Sequence, residues 1–411
     1  MMTNKKNILV SVIGKPFDGE YKQAKYEFEQ GKIEETNFFF LPLVKIYDID
    51  TLYLLGTKDS IWEKIPKDIP YEKVLIPQGK TGGDQWEIFN TINKLSLDNS
   101  NVYFDFTHGF RTMPFISLLS IFYFKSTMPK VTVKKVLYGN YEGRDPNTQV
   151  CPVVDLSGFL QIFDWLFAVK SFTKFGNGEQ LCDLLSKYSE TNIKRLRDSI
   201  HNINSAMQLG YTTTLPMQFE SMNAAYGHID TDSIPAISPL KTIMPELSKL
   251  TSLIDFSRPD YEKQLTIANW YYKNNLIVNS IISLRETYVT FIGETGNFAF
   301  SNYSERKNIA KKALNNKKLL IRFKLEKLYE LWVRVIRIRN NVGHPYFDTT
   351  SSEEISDKNR IGNLLGESKK LFIELSNSYE MKNLFKEIRK KKLLETRKEF
   401  TADELISKYN N

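Results

Sequence analysis

The sequence predicts an α/β domain with a mainly parallel sheet, followed by an all-α region. In residues 1–155, short β-rich runs alternate with helical segments, and this order is typical of parallel strands joined by crossover helices. After residue 156 the β-rich runs stop and apolar residues recur with helical spacing. The composition, 41% hydrophobic and 25% charged over 411 residues, is that of a folded protein with more than one domain.

The first part contains five predicted strands and three predicted helices. The strands are 7–14, 51–57, 73–79, 101–107 and 130–141, and the helices are 23–30, 84–96 and 114–125. Continuous apolar strands separated by helices favour a doubly wound sheet that binds ligands outside the carboxyl ends of its strands. No G-x-G-x-x-G motif or P-loop follows the first strand, so the usual dinucleotide and triphosphate fingerprints are absent.

The second part is predicted to be helical, with a break at a proline-punctuated linker. The predicted helices are 159–172, 178–190, 193–207, 261–292 and 323–341, and the linker is 232–246. We therefore expect three regions: an α/β domain over 1–155, a helical connecting region over 156–250, and a helical domain with a basic C-terminal tail over 251–411.

Charge and cysteine content narrow the possible functions. The net charge is +8 with a pI near 9.0, and basic residues concentrate between 306 and 339, which indicates either solvated helix faces or attraction to a nucleic acid. Two cysteines cannot build a disulfide framework and lack metal-ligand companions. The apolar run at the N-terminus is too short for a signal peptide, and no membrane-length stretch follows, so we expect a cytoplasmic protein with no membrane partner.

The first functional motif is a strand that carries a carboxylate in an apolar run. Strand alternation places Tyr103, Asp105 and Thr107 on one face of the strand 101–107. Because burying an isolated carboxylate is costly, we expect polar partners for Asp105 at this strand end. The turn that follows opens a helix with Pro114 near its start, so free backbone N–H groups there suit an anion.

Small and polar residues also follow two other predicted strands. Ser11, Gly14 and Lys15 lie at the end of the first strand, and Thr57 and Lys58 at the end of the second. These groups offer hydroxyls, charge and close backbone approach to an anionic ligand at the sheet edge. The alternative is a purely structural tight turn in which Asp105 bonds to backbone.

The stretch "DFTHGFR" resembles the D-x-T-H-G motif of CARF domains in type III CRISPR ancillary proteins. The resemblance implies a Rossmann-like dimeric sensor that holds a cyclic oligoadenylate across its two-fold axis. Cyclic tetra-adenylate is expected as this ligand in preference to cyclic hexa-adenylate. It implies that a set of strand-end residues contacts this ligand, namely Ser11, Gly14, Lys15, Thr57, Lys58, Thr107, His108, Gly109, Phe110 and Arg111.

The second motif is Arg339-Asn340-x-x-x-His344, near the end of a predicted helix. At 100° per residue, Arg339 falls in the middle of an apolar stripe that includes Trp332 and Val335, so we expect it to meet an anion or line a cavity. The residues Gly343 and Pro345 favour a helix end just before or at His344. The alternative is a buried ion pair for Arg339 and a helix-capping role for His344.

The "RNNVGH" stretch is similar to the R-x4-6-H motif of HEPN ribonucleases, which are helical and pair so that two motifs share one cleft. The resemblance implies Arg339, Asn340 and His344 as catalytic residues, with no cofactor required. It also implies a homodimer or higher even oligomer that cuts single-stranded RNA without a metal and is activated by cyclic oligoadenylate. CARF and HEPN in this order resemble the ancillary ribonucleases of type III CRISPR antiviral systems.

A second arginine–histidine pair and two other functions compete with this interpretation. Arg195 and His201 also match the spacing, but the helical wheel places Arg195 outside the apolar stripe and His201 at its border, so we predict a surface role. The chain could instead be a non-catalytic cyclic-nucleotide sensor, or a transcription regulator with a CARF domain.

Overall fold

A computed structural model describes residues 5–229, 245–250, 252–343 and 351–396, with backbone alone at 343 and 351–357. The chain divides into two compact units, residues 1–162 and 163–411. Within the described ranges, no helix is both long enough and apolar enough to span a membrane.

The first unit is built on one eight-stranded sheet. Its strands are β1 Lys6–Val12, β2 Ala24–Glu27, β3 Ile33–Thr36, β4 Thr51–Gly56, β5 Glu72–Leu75, β6 Ser100–Asp105, β7 Thr132–Gly139 and β8 Val150–Asp155. Their spatial order is β3-β2-β8-β7-β6-β1-β4-β5. Only the β2–β3 and β7–β8 pairs are antiparallel, which confirms the predicted mainly parallel sheet.

Helices cover both faces of this sheet. They are α1 Phe40–Ile46, α2 Gly82–Asn93 and α3 Met113–Thr127. One core joins Val102 and Phe104 of β6 to Phe124 of α3, and a second core on the other face includes Leu9 and Phe39. Strand β1 lies between β4 and β6, so the strand order reverses beside it. This reversal opens a crevice at the carboxyl ends of β1 and β6, where doubly wound sheets bind ligands.

The prediction of a helix over 23–30 was wrong. Residues Ala24–Glu27 form β2, with Ala24 and Tyr26 buried and the two residues between and after them exposed. This period of two is a strand pattern, and parallel pairing with β8 satisfies one side of the short strand. Strand β3 and helix α1 were not predicted, because each is shorter than the windows in which periodicity is informative.

The second part of the chain is mostly helical, as predicted. Its helices are α4 Ser157–Phe175, α5 Glu179–Leu185, α6 Thr191–Leu209, α7 Leu215–Gly227, α8 Asp260–Lys273, α9 Ile277–Thr295, α10 Tyr303–Ile309, α11 Lys317–Arg322, α12 Glu326–Gly343, α13 Ser351–Leu375 and α14 Tyr379–Lys390. Most of the predicted linker 232–246 lies outside the described residues.

Helix α8 belongs to two hydrophobic cores. Its residues Ile267 and Tyr271 pack with α4–α7, whereas Leu265 and Ala268 pack with α9–α14. The single helix predicted over 261–292 is in fact two helices, α8 and α9. The break occurs at Asn275, whose φ of 66° is left-handed, a conformation that Asn tolerates better than most residues.

Arg306, one of the basic residues between 306 and 339, is buried inside the helical core. Its Nε and Nη2 atoms approach Glu286 Oε2 at 2.8 Å, and Nη2 also donates to Thr290 Oγ1 at 3.0 Å. The Nη1 atom donates to the carbonyl of Phe300 at 3.3 Å. The Arg306 guanidinium therefore links α9, α10 and the segment between these helices through its hydrogen bonds and its ion pair with Glu286.

We expect Arg306→Ala to lower the free energy of unfolding of the helical unit by about 2–4 kcal/mol, because it removes the cation at Glu286 Oε2 and leaves the partly buried carboxylate paired with Arg285. Urea unfolding followed by far-UV circular dichroism measures this change. The control is Lys307→Ala at the adjacent exposed position, which should change stability by less than about 0.5 kcal/mol. Equal stability of the two variants would contradict the assigned role.

Candidate functional site

The Asp105 carboxylate lies fully buried at the carboxyl end of β6. It accepts a hydrogen bond from Ser11 Oγ at 2.6 Å and another from the Thr107 backbone N–H at 2.8 Å. Ser11 is the residue directly opposite on β1. Burial raises the pKa of Asp105, although the bonds from Ser11 and Thr107 act in the opposite direction. These are the polar partners expected for this carboxylate, and they join the two strands that flank the crevice.

The Ser11 side chain is buried beneath the strand-end surface, where its hydroxyl donates a hydrogen bond to Asp105. Ser11 therefore stabilises the Thr107–Arg111 turn from the interior and does not line the strand-end surface. Gly14, three residues further on, comes to the surface, and a Cβ there would lie 3.0 Å from the His108 carbonyl oxygen. The two strand-end turns thus approach each other closely only because this position is glycine.

The side chains of Thr107 and His108 tie the turn to neighbouring elements. Thr107 Oγ1 accepts a hydrogen bond from the Gly139 N–H at the end of β7, at 2.9 Å. His108 Nε2 accepts from the Phe39 N–H just before α1, at 3.2 Å. Burial lowers the pKa of His108 to about 4, which keeps the imidazole neutral and able to accept this bond at pH 7.

Tyr21 connects the turns that follow β1 and β6, and the sequence analysis missed it. Its hydroxyl accepts from the Gly14 N–H at 2.7 Å and donates to the His108 carbonyl at 3.4 Å. Its ring stacks on the His108 imidazole, with centroids 3.9 Å apart. Burial raises the pKa of Tyr21 to about 12, so the phenol keeps its proton. A helix was predicted over the adjacent residues 23–30, and no local pattern marks Tyr21, because its contact with His108 joins distant parts of the chain.

The remaining predicted residues surround the same strand ends. The Thr57 N–H donates to Ser60 Oγ at 2.9 Å, and Ser60 Oγ donates to the Ile13 carbonyl at 3.0 Å, which brings the β4 end against the β1 end. Phe110 packs beside Gly79, which has a left-handed φ of 70° after β5. The structure therefore gathers the β1, β4, β5 and β6 ends around one turn.

Three cationic side chains of the predicted site are exposed at this edge of the sheet: Lys15, Lys58 and Arg111. With the Thr107 and His108 side chains and the Ser11 hydroxyl committed to internal bonds, an anionic ligand would meet these cations and the backbone around Gly109. Arg111 also borders an apolar groove of about 620 Å³ between α2 and α3, which Trp86 and Phe115 line.

The second predicted site lies at the end of α12. Arg339 and Asn340 are exposed there, and Arg339 Nη1 donates to Asn340 Oδ1 at 3.3 Å. Among the residues that the structure describes, no carboxylate forms an ion pair with Arg339. His344 lies outside the described residues, so its position relative to Arg339 stays a prediction.

The helical-wheel expectation of a buried face at Arg339 was wrong, because Arg339 is exposed. Trp332, Val335 and Ile338 are buried, and Val342 is half-buried and packs against the same core. Arg339 thus shares the angular position of the apolar stripe, but burial decreases towards this end of α12 and the guanidinium reaches solvent.

The basic stretch 306–339 divides into paired and unpaired residues. Arg306 pairs with Glu286, Arg322 pairs with Glu387 at 3.1 Å, and Arg334 forms two bonds to Glu367 at 2.8 and 3.1 Å. Arg337 and Arg339 have no such acidic partner in the described part of the chain. The unneutralised arginines are therefore concentrated near the end of α12, beside the motif.

The structure also shows the positions of the competing pair and of the residue types that could ligate a metal. Arg195 and His201 are both exposed on α6, whose buried stripe includes Ile193 and Ile200, as predicted. Within the described ranges, no group of three or more histidine, cysteine, aspartate or glutamate side chains is arranged to hold a metal ion.

We expect Asp105→Ala to lower the free energy of unfolding by about 2–4 kcal/mol, because Ser11 Oγ and the Thr107 N–H each lose a buried acceptor. Asp105→Asn keeps an acceptor oxygen and should cost less than half as much. Urea unfolding measures both changes, with Asp98→Ala at an exposed position as the control. A stable Asp105→Ala protein would show that the carboxylate does not hold the two strands.

We expect the stability of the first unit to fall as the pH is lowered from 6.5 towards 4. The folded pKa of His108, about 4, lies below its ordinary value of 6.5, so the unfolded chain binds more protons in that window. This term amounts to about 1–3 kcal/mol, present above pH 6.5 and lost as the pH falls through the folded pKa.

The measurement is urea unfolding at several pH values, for wild type and for His108→Gln. The amide oxygen of glutamine can accept the Phe39 N–H without titrating, so this variant should lose part of the pH dependence. The exposed His201→Gln variant is the control and should retain it. Identical pH profiles for all three proteins would contradict the role of His108.

Three comparisons with known proteins found similar chains. A family model described as the second domain of CRISPR-associated protein MJ1674 matches residues 161–257. CRISPR-associated protein MJ1674 of Methanocaldococcus jannaschii is 24% identical over 391 residues, covering 79% of this chain and 59% of the relative. The chain thus spans 59% of that relative's length.

A solved structure, Enterococcus italicus Csm6 bound to cyclic hexa-2′-fluoro-hexa-dAMP, matches 95% of this chain and 100% of its own. The TM-score is 0.41 and the sequence identity is 12%. The family model covers most of the helical region 156–250, which the two motifs had left without a resemblance. The resemblance to CRISPR-associated ancillary proteins that the motifs indicated is therefore confirmed by the matches to MJ1674, in the middle helices and over most of the chain.

Proposed function

We propose that the protein is a cyclic-oligoadenylate-activated endoribonuclease of type III CRISPR defence that cleaves single-stranded RNA without a metal. The observation that carries the proposal is the construction of the Thr107–Arg111 turn. Its side chains bond to neighbouring elements, and the cations Lys15, Lys58 and Arg111 around it are exposed at the point where the strand order reverses.

The strand-end site suits a ligand that carries phosphates. Lys15, Lys58 and Arg111 supply positive charge from three different strand ends, and charge from several directions favours a ring over a single phosphate. A cyclic oligoadenylate presents phosphates at regular intervals, so its ring fits a site that is repeated by a two-fold axis. We expect a ring of four adenylate units in preference to a ring of six.

An exposed apolar surface supports a homodimer. On α3, Phe115, Leu119 and Tyr123 are exposed at a spacing of four residues, which places them on one face of the helix. An exposed apolar face next to the strand-end site is typical of a surface that a partner covers, and a second copy would bring each site next to its equivalent.

The catalytic step follows from the chemistry of the residue types. RNA carries its own nucleophile, the 2′-hydroxyl, so cleavage requires proton transfer and stabilisation of negative charge at phosphorus. In the proposed mechanism His344 transfers the proton, Arg339 binds the phosphate oxygens, and Asn340 orients the guanidinium, to which it is already hydrogen-bonded. The products carry 2′,3′-cyclic phosphate ends.

The spacing of the motif favours a catalytic site to which two chains contribute. Five positions separate Arg339 from His344, which on an ideal helix corresponds to about 140°. A single ideal helix would not aim both side chains at the same phosphate, whereas a composite site from two chains would. In the proposal, the cyclic ligand favours the dimer arrangement in which this composite site is open to RNA, a coupling between two sites by population shift.

The test is RNA cleavage in EDTA, with cyclic tetra-adenylate or hexa-adenylate added to a labelled single-stranded RNA. Arg339→Ala and His344→Ala should each lower the rate by about 100-fold or more, because each removes a transition-state contact. Arg337→Ala is the matched control on the same helix, and Arg195→Ala is the control for the competing pair. Both should cleave at close to the wild-type rate.

Ligand binding by the same variants separates the proposed function from its rivals. Undiminished cleavage by His344→Ala would reject the catalytic assignment. Binding of the cyclic ligand with RNA left intact would identify a non-catalytic sensor, and ligand-dependent binding of duplex DNA would identify a transcription regulator.

A further inference from the structure

The loop of residues 15–20 carries a fully exposed phenylalanine, Phe17, at the edge of the strand-end site. The loop follows the turn at Gly14, and its tip is closed by a hydrogen bond from the Gly19 N–H to the Pro16 carbonyl at 3.2 Å. Gly19 has a left-handed φ of 79°, so the tip is a tight turn. Folding therefore displays this aromatic ring in water instead of burying it.

Both ends of the loop are held at the turns that follow β1 and β6. The Gly14 N–H at its start donates to the Tyr21 hydroxyl at its end, at 2.7 Å, and the Tyr21 ring stacks on His108. The loop thus leaves from and returns to the same point, where the β1 and β6 ends meet. Phe17 consequently projects from the rim of the site and not from a distant part of the sheet.

The charges of the loop indicate which part of a nucleotide it can contact. Lys15 at the start of the loop is one of the cations of the strand-end site, but Asp18 and Glu20 are acidic and exposed, so the remainder of the loop, residues 16–20, has a net charge of −2 and repels phosphates. An aromatic ring flanked by carboxylates suits a nucleobase instead. The ring offers a stacking surface, and a carboxylate can accept a hydrogen bond from an exocyclic amino group.

We propose that Phe17 stacks on a nucleobase of the ligand bound at the strand-end site, with the loop 15–20 as its carrier. This inference rests on the proposed function, because it takes a cyclic oligoadenylate as the ligand. Two parts of the site would then contact different parts of the ligand. The cations Lys15, Lys58 and Arg111 meet phosphates, whereas Phe17 meets a base.

The test is binding of cyclic tetra-adenylate and cyclic hexa-adenylate to the full chain, measured by isothermal titration calorimetry. Loss of one base–aromatic stack by alanine substitution is expected to weaken binding by about 10- to 100-fold. Phe17→Ala should show this loss, and Phe17→Leu should show most of it, because leucine keeps apolar bulk without a π-face. Phe17→Trp should bind within about threefold of wild type, since tryptophan also stacks on bases.

Phe175→Ala is the matched control, because Phe175 is an exposed phenylalanine (59% exposed) at the end of α4. It should bind like wild type. A second readout uses a cyclic tetra-adenylate in which one base is 2-aminopurine. Its fluorescence should be quenched more strongly by wild type than by Phe17→Ala at saturating protein, as stacking requires.

The outcomes separate this inference from the proposed function. If wild type binds neither cyclic adenylate, the proposed ligand is wrong and the inference fails with it. If wild type binds and Phe17→Ala binds within twofold, the ligand assignment stands and the stacking role is overturned. Equal losses in Phe17→Ala and Phe175→Ala would also overturn it, because the effect would not be local to the site.

Discussion

A buried carboxylate shared between two central strands is the interaction on which the strand-end site depends. Asp105 at the end of β6 is held by Ser11 of β1 and by the backbone of Thr107, which spans the point where the strand order reverses. A buried carboxylate without partners would be strongly destabilising. The need to satisfy it therefore determines how the chain leaves β6 and where the Thr107–Arg111 turn lies.

The turn is then stabilised from several sides, and this leaves little freedom to its side chains. Thr107 bonds to the β7 end, His108 to the start of α1, and Tyr21 to the turns after both β1 and β6. A site of this construction is organised before any ligand arrives, which reduces the entropy lost on binding. The same bonds connect the Thr107–Arg111 turn to four neighbouring segments. A ligand that shifts this turn would therefore affect the whole edge of the sheet.

Much of this arrangement follows from local sequence. Strand alternation is sufficient to place Asp105 and to require polar partners for it, and the continuous apolar strands are sufficient to predict the parallel sheet. The errors arise where tertiary context decides. The short segment 24–27 is a strand because β8 pairs with it, and Tyr21 acquires its role from contacts made across the sheet edge. Arg339 is exposed although it shares the angular position of the buried stripe, because a helical wheel represents the angle of a side chain and not the decrease of burial along the helix.

Hydrogen–deuterium exchange of the full chain, with and without cyclic tetra-adenylate, reports on both proposed sites in one experiment. We expect slower exchange in peptides that cover residues 11–21 and 105–113, together with altered exchange near the end of α12. Protection at the strand ends with an unchanged α12 would contradict the coupling between the sites. No ligand-dependent change at the strand ends would contradict the ligand site itself.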